Sequence, residues 1–93
     1  MLSDDERRLL ELIAESKKPV APSSFFHTIH PPTFPSSAPE DDPEREAWAE
    51  RQIGMYGAML RLNELNLIRV VVPADGENPD LMEATVQGVA ALG

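Results

Sequence analysis

Residues 59–92 read MLRLNELNLIRVVVPADGENPDLMEATVQGVAAL, and this stretch decides the fold. A leucine-rich helix end leads to Asn66, a residue that tolerates the left-handed backbone at the end of a helix. Residues 68–72 are a β-branched run, and residues 73–80 hold the Pro, Asp, Gly and Asn that are typical of a turn. An alternating run over 81–86 then predicts a return strand. The stretch therefore predicts a helix end and a β-hairpin, followed by a tail of small residues.

Three helices are predicted before the hairpin. Ser3 and Glu6 have the spacing of a capping box, so the first helix begins there and extends over about 4–16. A proline suited to the first helical position opens a short second helix over 22–30. The third and longest helix is predicted over 44–65, with acidic residues in its first turn. Three helices followed by a hairpin make a small α+β domain.

Length and composition restrict the chain to one domain, residues 1–93. A chain of 93 residues buries only roughly 60–70% of its unfolded surface, which supports one modest core. The absence of Cys excludes disulfides, thiolate metal sites and cysteine nucleophiles. No segment has the pattern of a signal peptide, or the ~20 apolar residues of a membrane span. We therefore expect a cytoplasmic protein with no membrane partner.

The chain is acidic, and the ratio of acidic to basic residues grows toward the hairpin. The formal net charge is −8, and residues 67–93 carry four acidic residues against one basic residue. Affinity for nucleic acid comes mostly from Lys and Arg at phosphates, so a surface without bases binds DNA weakly. An acidic chain instead favours basic protein partners, or serves solubility.

The end of the third helix and the hairpin resemble the second half of a winged helix of the MarR and PadR type. A Thr-x-x-Gly-x-x-x-Leu pattern over 85–92 continues the likeness. The helix end carries it through Leu62, Leu65, Asn66, Leu67 and Ile68, in that order. The resemblance covers the last third of the chain well and the first third loosely. It implies a winged helix-turn-helix fold with three helices, a two-stranded wing and a short C-terminal helix. It also implies DNA contacts at the front of the third helix and at the wing.

A proline-rich loop departs from that family pattern. Residues 30–43, HPPTFPSSAPEDDP, hold five prolines around Phe34, so they form neither a continuous helix nor a central strand. In a minimal winged helix a tight turn joins the second and third helices. A loop of this length is usually functional or disordered, which makes Phe34 a candidate partner-binding residue. Asp42 is the expected cap of the third helix.

The third helix carries two neighbouring apolar stripes. The first stripe is Ala49, Ile53, Tyr56 and Leu60. The second stripe is Trp48, Gln52, Met55, Met59 and Leu62. Together they make an arc too wide for a helix with one exposed side, so something covers the second stripe. Either the rest of the domain covers it all, or Trp48, Met55 and Tyr56 form a dimer or partner surface. In the latter case Gly54 and Gly57 permit close approach.

The residues that would contact DNA in the family are few. Arg45, Arg51 and Gln52 lie at the front of the third helix, and Arg69 is the base nearest the wing. Three glutamates surround the helical candidates, and the turn over 73–80 carries acidic residues and no base. A solvated helix face is therefore the simpler interpretation. A dimer that gathers the bases of the first helix on one surface would favour DNA binding again.

Catalysis has little support in the sequence. His27 and His30 can lie on one helical face, and Asp41 or Glu40 can complete a metal site, but histidines at a helix end are more often surface or capping residues. No serine has the context of a nucleophile, and five glycines make no phosphate loop. We therefore predict no enzyme, no metal, no cofactor and no small-molecule substrate.

The leading hypothesis is a non-catalytic regulatory module on a winged-helix scaffold. It predicts protein–protein interaction or homodimer formation through the long helix or the proline-rich loop. The alternative is a winged-helix DNA-binding transcriptional regulator, which the resemblance favours and the charge disfavours.

Overall fold

The computed structural model describes residues 1–35 and 37–93 and shows the predicted α+β fold. Ser36, within the predicted proline-rich loop, lies outside the described residues. In chain order the elements are helix α1 (Asp4–Glu15), a 3-10 turn (Pro22–Phe25), helix α2 (Phe26–Ile29), helix α3 (Pro43–Glu64), strand β1 (Ile68–Val72), strand β2 (Leu81–Ala84) and helix α4 (Val86–Ala91).

The first turns of α1 and α3 are capped by the side chains that the sequence indicates. The Glu6 amide donates to the Ser3 hydroxyl at 3.2 Å, and the Ser3 amide donates to the Glu6 carboxylate at 2.7 Å. One Asp42 carboxylate oxygen accepts the amides of Glu44 and Arg45. The capping box and the Asp42 cap are both confirmed. Caps of this kind each contribute roughly 1 kcal/mol to helix stability.

The end of α3 follows the predicted left-handed turn. Asn66 has a φ of 61°, and the Leu67 amide donates to the Leu62 carbonyl at 3.0 Å. This bond closes the helix and folds Leu67 back against it. The chain therefore leaves α3 in the direction of β1, as the sequence predicts.

The two strands form an antiparallel hairpin, and a residue before the 3-10 turn extends it. Ile68 pairs with Ala84 at the start of the register. On the other edge of β2, Val20 and Met82 exchange backbone hydrogen bonds of 2.9 and 2.7 Å. The hairpin is thus joined to the segment between α1 and the 3-10 turn by a one-residue third strand.

Strand β2 is shorter than the run over 81–86 predicts. The Thr85 hydroxyl accepts the Gly88 amide at 3.0 Å and caps α4, so the extended backbone ends before it. A Cβ atom on Gly88 would lie 2.1 Å from the Leu67 carbonyl oxygen. The small residue therefore lets α4 pack against the junction of α3 and β1.

One core joins the helices to the hairpin. Its fully buried aliphatic and Met side chains come from α1, α3 and β1, and Phe26 and Met82 are nearly as buried. The cluster consists of Leu9, Leu10, Ile13, Phe26, Met55, Leu62, Ile68 and Met82. Within residues 1–35 and 37–93, no helix combines the length and apolar character needed to cross a bilayer.

Candidate interaction surface on helix α3

The second predicted stripe of α3 faces the core. Met55 and Leu62 have no exposed surface, and Met59 is half-buried against the same cluster. Of the two explanations for this stripe, the structure therefore shows the first, in which the domain itself covers it. Met55 is not available to a partner, because its side chain lies between α1 and the hairpin within the core. The prediction that Met55 binds a partner is therefore wrong, because its side of α3 faces the core and not solvent.

The first stripe of α3 is the one that the domain leaves uncovered. Ile53 is 73% exposed, Tyr56 55% and Leu60 43%. These three side chains share one side of the helix because they are spaced by three and four residues. Single exposed apolar side chains are common on proteins, whereas a row of large ones marks an association surface.

Two glycines lie beside these apolar residues. Gly54 and Gly57 are exposed, and nothing in the described chain comes within 4 Å of a Cβ atom placed on either. No packing contact of the described residues therefore requires a glycine here. Each costs a helix roughly 0.5–1 kcal/mol relative to Ala, so the pair lowers the stability of α3. We call Ile53, Gly54, Tyr56, Gly57 and Leu60 the outward face.

Charged side chains border the outward face on one side. Glu50 is exposed one turn before Gly54. Arg61 lies one turn after Gly57, and its Nε atom is 2.9 Å from a carboxylate oxygen of the nearly buried Glu6. About half of the Arg61 side chain is still exposed, so it can bind a second carboxylate.

The other side of the outward face opens into a shallow apolar groove. Tyr56 and Met59 form one wall of this groove, and the 3-10 turn contributes Pro22 and Phe26. The loop of the hairpin closes the end with residues that include Pro79. The groove has a volume of about 220 Å³ and is open to solvent. It therefore extends the apolar surface beyond α3 instead of enclosing a ligand.

Trp48 and Phe34 hold the proline-rich loop. The Trp48 indole N–H donates to the His30 carbonyl at 2.9 Å. Its ring meets those of His27 and Phe34 edge-on, with centroids 5.2 and 5.4 Å apart. Both candidates are half-buried in this aromatic cluster. Their contacts lie within the domain, on the side of α3 away from the outward face.

Three of the four candidate DNA-contacting side chains are held by contacts within the chain. Arg45 donates to the Ala38 carbonyl at 2.7 Å and lies 5.9 Å from the Phe34 ring centroid. Gln52 donates to the His30 carbonyl, and Arg69 pairs with a glutamate on β2. Arg51 lies on the exposed surface of α3. The structure thus brings Arg45 and Gln52 to the proline-rich loop, whereas Arg69 lies on β1.

The two histidines have separate contacts. The Nε2 atom of His30 lies 2.9 Å from an Asp5 carboxylate oxygen, whereas the His27 ring packs on Trp48. Among residues 1–35 and 37–93, no three His, Asp or Glu side chains are grouped so that they can hold a metal ion. Neither Asp41 nor Glu40 joins the histidines in such a group.

The loop of the hairpin presents negative charge beside the groove. The backbone amides of Asn78 and Glu77 donate to the Asp75 carboxylate, with help from the Asn78 side chain, and these bonds hold the pKa of Asp75 below its usual 3.8. Asp80 accepts the Ala74 amide at 2.6 Å. Asp75 and Asp80 therefore stabilise the turn of this loop by accepting its amides, and the negative charge of the loop repels phosphate.

Comparison of the chain with protein-family models, with curated proteins and with solved structures gave no match. The candidate surface is therefore defined by the residues and contacts of this chain alone. Sequence reasoning placed Ile53 and Leu60 on a stripe but did not assign them to a partner. One difference in the sequence separates the two stripes. The second stripe holds large side chains, Trp48 and two Met, whereas glycines and charged residues lie beside the first.

Proposed function

We propose that this chain is a non-catalytic binding module on a winged-helix scaffold, and that it binds protein through the outward face of α3. The order of elements supports the scaffold: α1, the one-residue strand at Val20, the short helix, the long helix and the hairpin. Together with the resemblance of the hairpin segment, this order supports an equivalence between α3 and the recognition helix of that family.

The observation that carries the proposal is the composition of the outward face. The core is complete without Ile53, Tyr56 and Leu60, yet these large apolar side chains lie together in solvent. Exposing them to water is unfavourable, and burying apolar area against a partner recovers about 25 cal/mol per Å². A protein surface is the partner that offers such burial, since duplex DNA presents mostly phosphate and polar base edges.

Electrostatics supports the same choice. A helix that reads DNA presents Arg, Lys, Asn or Gln to base edges and phosphates. Here the exposed centre of α3 carries Ile53 and Leu60, with Glu46 and Glu50 toward the start of the helix. Glu50 and Glu46 would repel phosphate at the end of the helix that enters the groove. Four arginines elsewhere in the chain form ion pairs with other glutamates, which reduces the positive charge that they offer to phosphate.

A DNA-binding regulator is the second candidate, favoured by the order of elements and by the exposed Arg51. Titration of mixed-sequence duplex DNA with the protein at about 50 mM and about 200 mM salt tests it, because phosphate contacts weaken steeply over that range. The proposed function predicts no binding at either salt concentration. Micromolar binding at the lower salt that disappears at the higher salt would favour the regulator instead.

Photo-cross-linking at the outward face tests the proposed function directly. In Tyr56→benzoylphenylalanine, a reactive group replaces an exposed aromatic ring at the centre of the face. Val86→benzoylphenylalanine is the matched control, because Val86 is 88% exposed on α4, away from the outward face. On irradiation of cells that make each variant, the proposal predicts a protease-sensitive adduct at position 56 and none at 86. A nuclease-sensitive adduct, or no adduct at 56, would contradict it.

A further inference from the structure

We infer that the partner of the outward face is a second copy of this chain, with the two α3 helices packed antiparallel about a twofold axis level with Tyr56. This inference rests on the proposed function and names the partner of that same face. It is carried by the symmetry of the charges along α3, by the sides on which the charged and apolar residues lie, and by the glycine pair.

Two charged residues and the two glycines of α3 form a row whose spacing is symmetric. Glu50, Gly54, Gly57 and Arg61 follow one another at spacings of four, three and four residues. At about 100° per residue, these spacings place them along one line of the helix surface. The acidic end and the basic end lie equally far from the glycines. An antiparallel second copy therefore brings Glu50 beside the second copy's Arg61, and Arg61 beside the second copy's Glu50.

The apolar residues fit the same arrangement. Ile53 and Leu60 lie on one side of Gly57, whereas Glu50 and Arg61 lie on the other. A twofold axis that makes two helices antiparallel brings like sides together, so Ile53 contacts the second copy's Leu60 while the charged sides meet each other. A parallel pair would put the apolar side of one helix against the charged side of the other, with Glu50 level with Glu50. The antiparallel arrangement therefore pairs apolar residues with apolar residues and opposite charges with each other.

The two glycines give the helices room to approach. A Cβ atom at position 54 or 57 would have no neighbour within 4 Å among the described residues outside its own stretch of helix, so no contact there requires a glycine. At the crossing point of an antiparallel pair, Gly54 of one copy lies near Gly57 of the other. The backbones can then come closer than the usual 8–10 Å or so between helix axes. Close backbones in turn bring Ile53 and Leu60 into contact across the axis.

The contact is expected to be weak and reversible. A standard protein–protein interface buries about 800 Å² on each partner, and one face of a 22-residue helix, with the adjoining groove, offers less than a large dimer interface. Interfaces at the small end of that range are typical of weak, transient contacts, so we take a dissociation constant on the order of tens of micromolar as the expected value. Association of this strength responds to protein concentration, which makes the dimer measurable by dilution.

Sedimentation equilibrium of the whole chain tests the inference, from about 10 µM to about 1 mM protein, a range that brackets the expected dissociation constant. The chain should change from its monomer mass of 10.3 kDa to twice that value. Ile53→Asp should weaken association at least about tenfold and keep the native circular dichroism, since position 53 is exposed. Val86→Asp, which changes a still more exposed apolar residue on α4, should associate like the parent.

Two outcomes overturn the second copy as partner. One is a monomer at every concentration, and the other is association that Val86→Asp abolishes and Ile53→Asp leaves intact. The proposed function fails separately, because it predicts a protein adduct at position 56 whatever the partner. A monomer that still forms such an adduct with a different polypeptide overturns only the self-pairing.

Cysteine cross-linking fixes the orientation, and the chain has no Cys of its own. Ala49→Cys and Glu64→Cys change exposed residues near the two ends of α3. In an antiparallel pair these positions face each other, within the roughly 7 Å between Cα atoms that a disulfide tolerates. Mild oxidation of an equal mixture should therefore give the mixed disulfide dimer, with little dimer from either variant alone. Efficient cross-linking of each variant alone would show a parallel pair and overturn the antiparallel arrangement.

Discussion

Helix α3 has two faces of similar apolar content and opposite surroundings. Leu62 and Leu60 are the same residue type two positions apart, yet Leu62 has no exposed surface and Leu60 is 43% exposed. The inward face, which carries Met55 and Leu62, packs into the core, while the outward face stays largely exposed to solvent. The comparison teaches that apolar content alone does not identify the core side of a helix. The glycines and charges beside the outward face explain why the domain leaves that side open.

The largest expected effect distinguishes the two leucines by stability. Leu62→Ala removes a fully buried side chain and leaves a cavity, so the free energy of unfolding should fall by about 2–5 kcal/mol. Leu60→Ala should change it by no more than about 0.5 kcal/mol, as is usual for surface positions. Denaturant unfolding measures both changes in free energy, at low micromolar protein where the chain is expected to be monomeric. Equal losses would mean that the outward face also belongs to the core.

The next effect concerns Trp48, near the start of α3, where the inward face contacts the proline-rich loop. Trp48→Phe keeps an aromatic ring between His27 and Phe34 but removes the N–H that donates to the His30 carbonyl. Losing that bond should lower the free energy of unfolding by about 0.5–1.5 kcal/mol. It should also speed proteolysis within the loop, because the anchor of the loop is weakened. Peptide mapping after brief protease treatment measures the cleavage rate.

Tyr56→Phe is the control for that substitution, since Tyr56 is an exposed aromatic residue on the other face of the same helix. It should leave both the unfolding free energy and the cleavage rate as they are in the parent. If Trp48→Phe and Tyr56→Phe behave alike, the loop is held by contacts other than the Trp48 hydrogen bond.

A smaller effect of opposite sign is expected at the glycines. Gly57→Ala should raise the free energy of unfolding of the dilute monomer by about 0.5–1 kcal/mol, because Ala favours the helix and the site is open. In the same variant, self-association should weaken, because the added methyl group separates the two helices. Unfolding and sedimentation measured on one preparation give both signs. A variant that is more stable and associates as well as the parent would remove the glycines from the contact.

The smallest effect is confined to the loop of the hairpin, at the edge of the outward groove. The Asn78 and Glu77 amides lower the pKa of Asp75, so its ionised form stabilises the folded turn. That contribution is complete above the ordinary pKa of 3.8 and is lost as the pH falls through the lower folded value. In an NMR pH titration, the Asp75 carboxyl shift should have its midpoint below 3.8. A midpoint at or above that value would contradict the hydrogen bonds.

Much of the fold was predictable because local chemistry specifies it. The capping box at Ser3, the cap at Asp42, the left-handed Asn66 and the bounds of β1 follow from residue type and spacing. The end of β2 was missed by two residues, because the Thr85 cap of α4 competes with the strand. Such errors arise where two local signals overlap.

The surface was harder to predict than the fold. Both stripes of α3 have helical spacing, so spacing alone does not decide which of them faces α1 and the hairpin. Spacing therefore assigns Met55 to a partner surface although it is in the core, and it gives Ile53 no role. The hydrogen bonds of Trp48, Arg45 and Gln52 to loop carbonyls join segments with no shared sequence pattern, so no reading of the sequence predicts them.

The most direct test of the difference between the two faces of α3 is the NMR spectrum of the amides and methyl groups at about 20 µM and about 1 mM protein, concentrations on either side of the expected dissociation constant. The account predicts concentration-dependent shifts at Ile53, Gly54, Gly57 and Leu60, with the signals of Met55 and Leu62 nearly unchanged. Identical spectra at both concentrations, or shifts centred on Val86 and Val89 of α4, would contradict it.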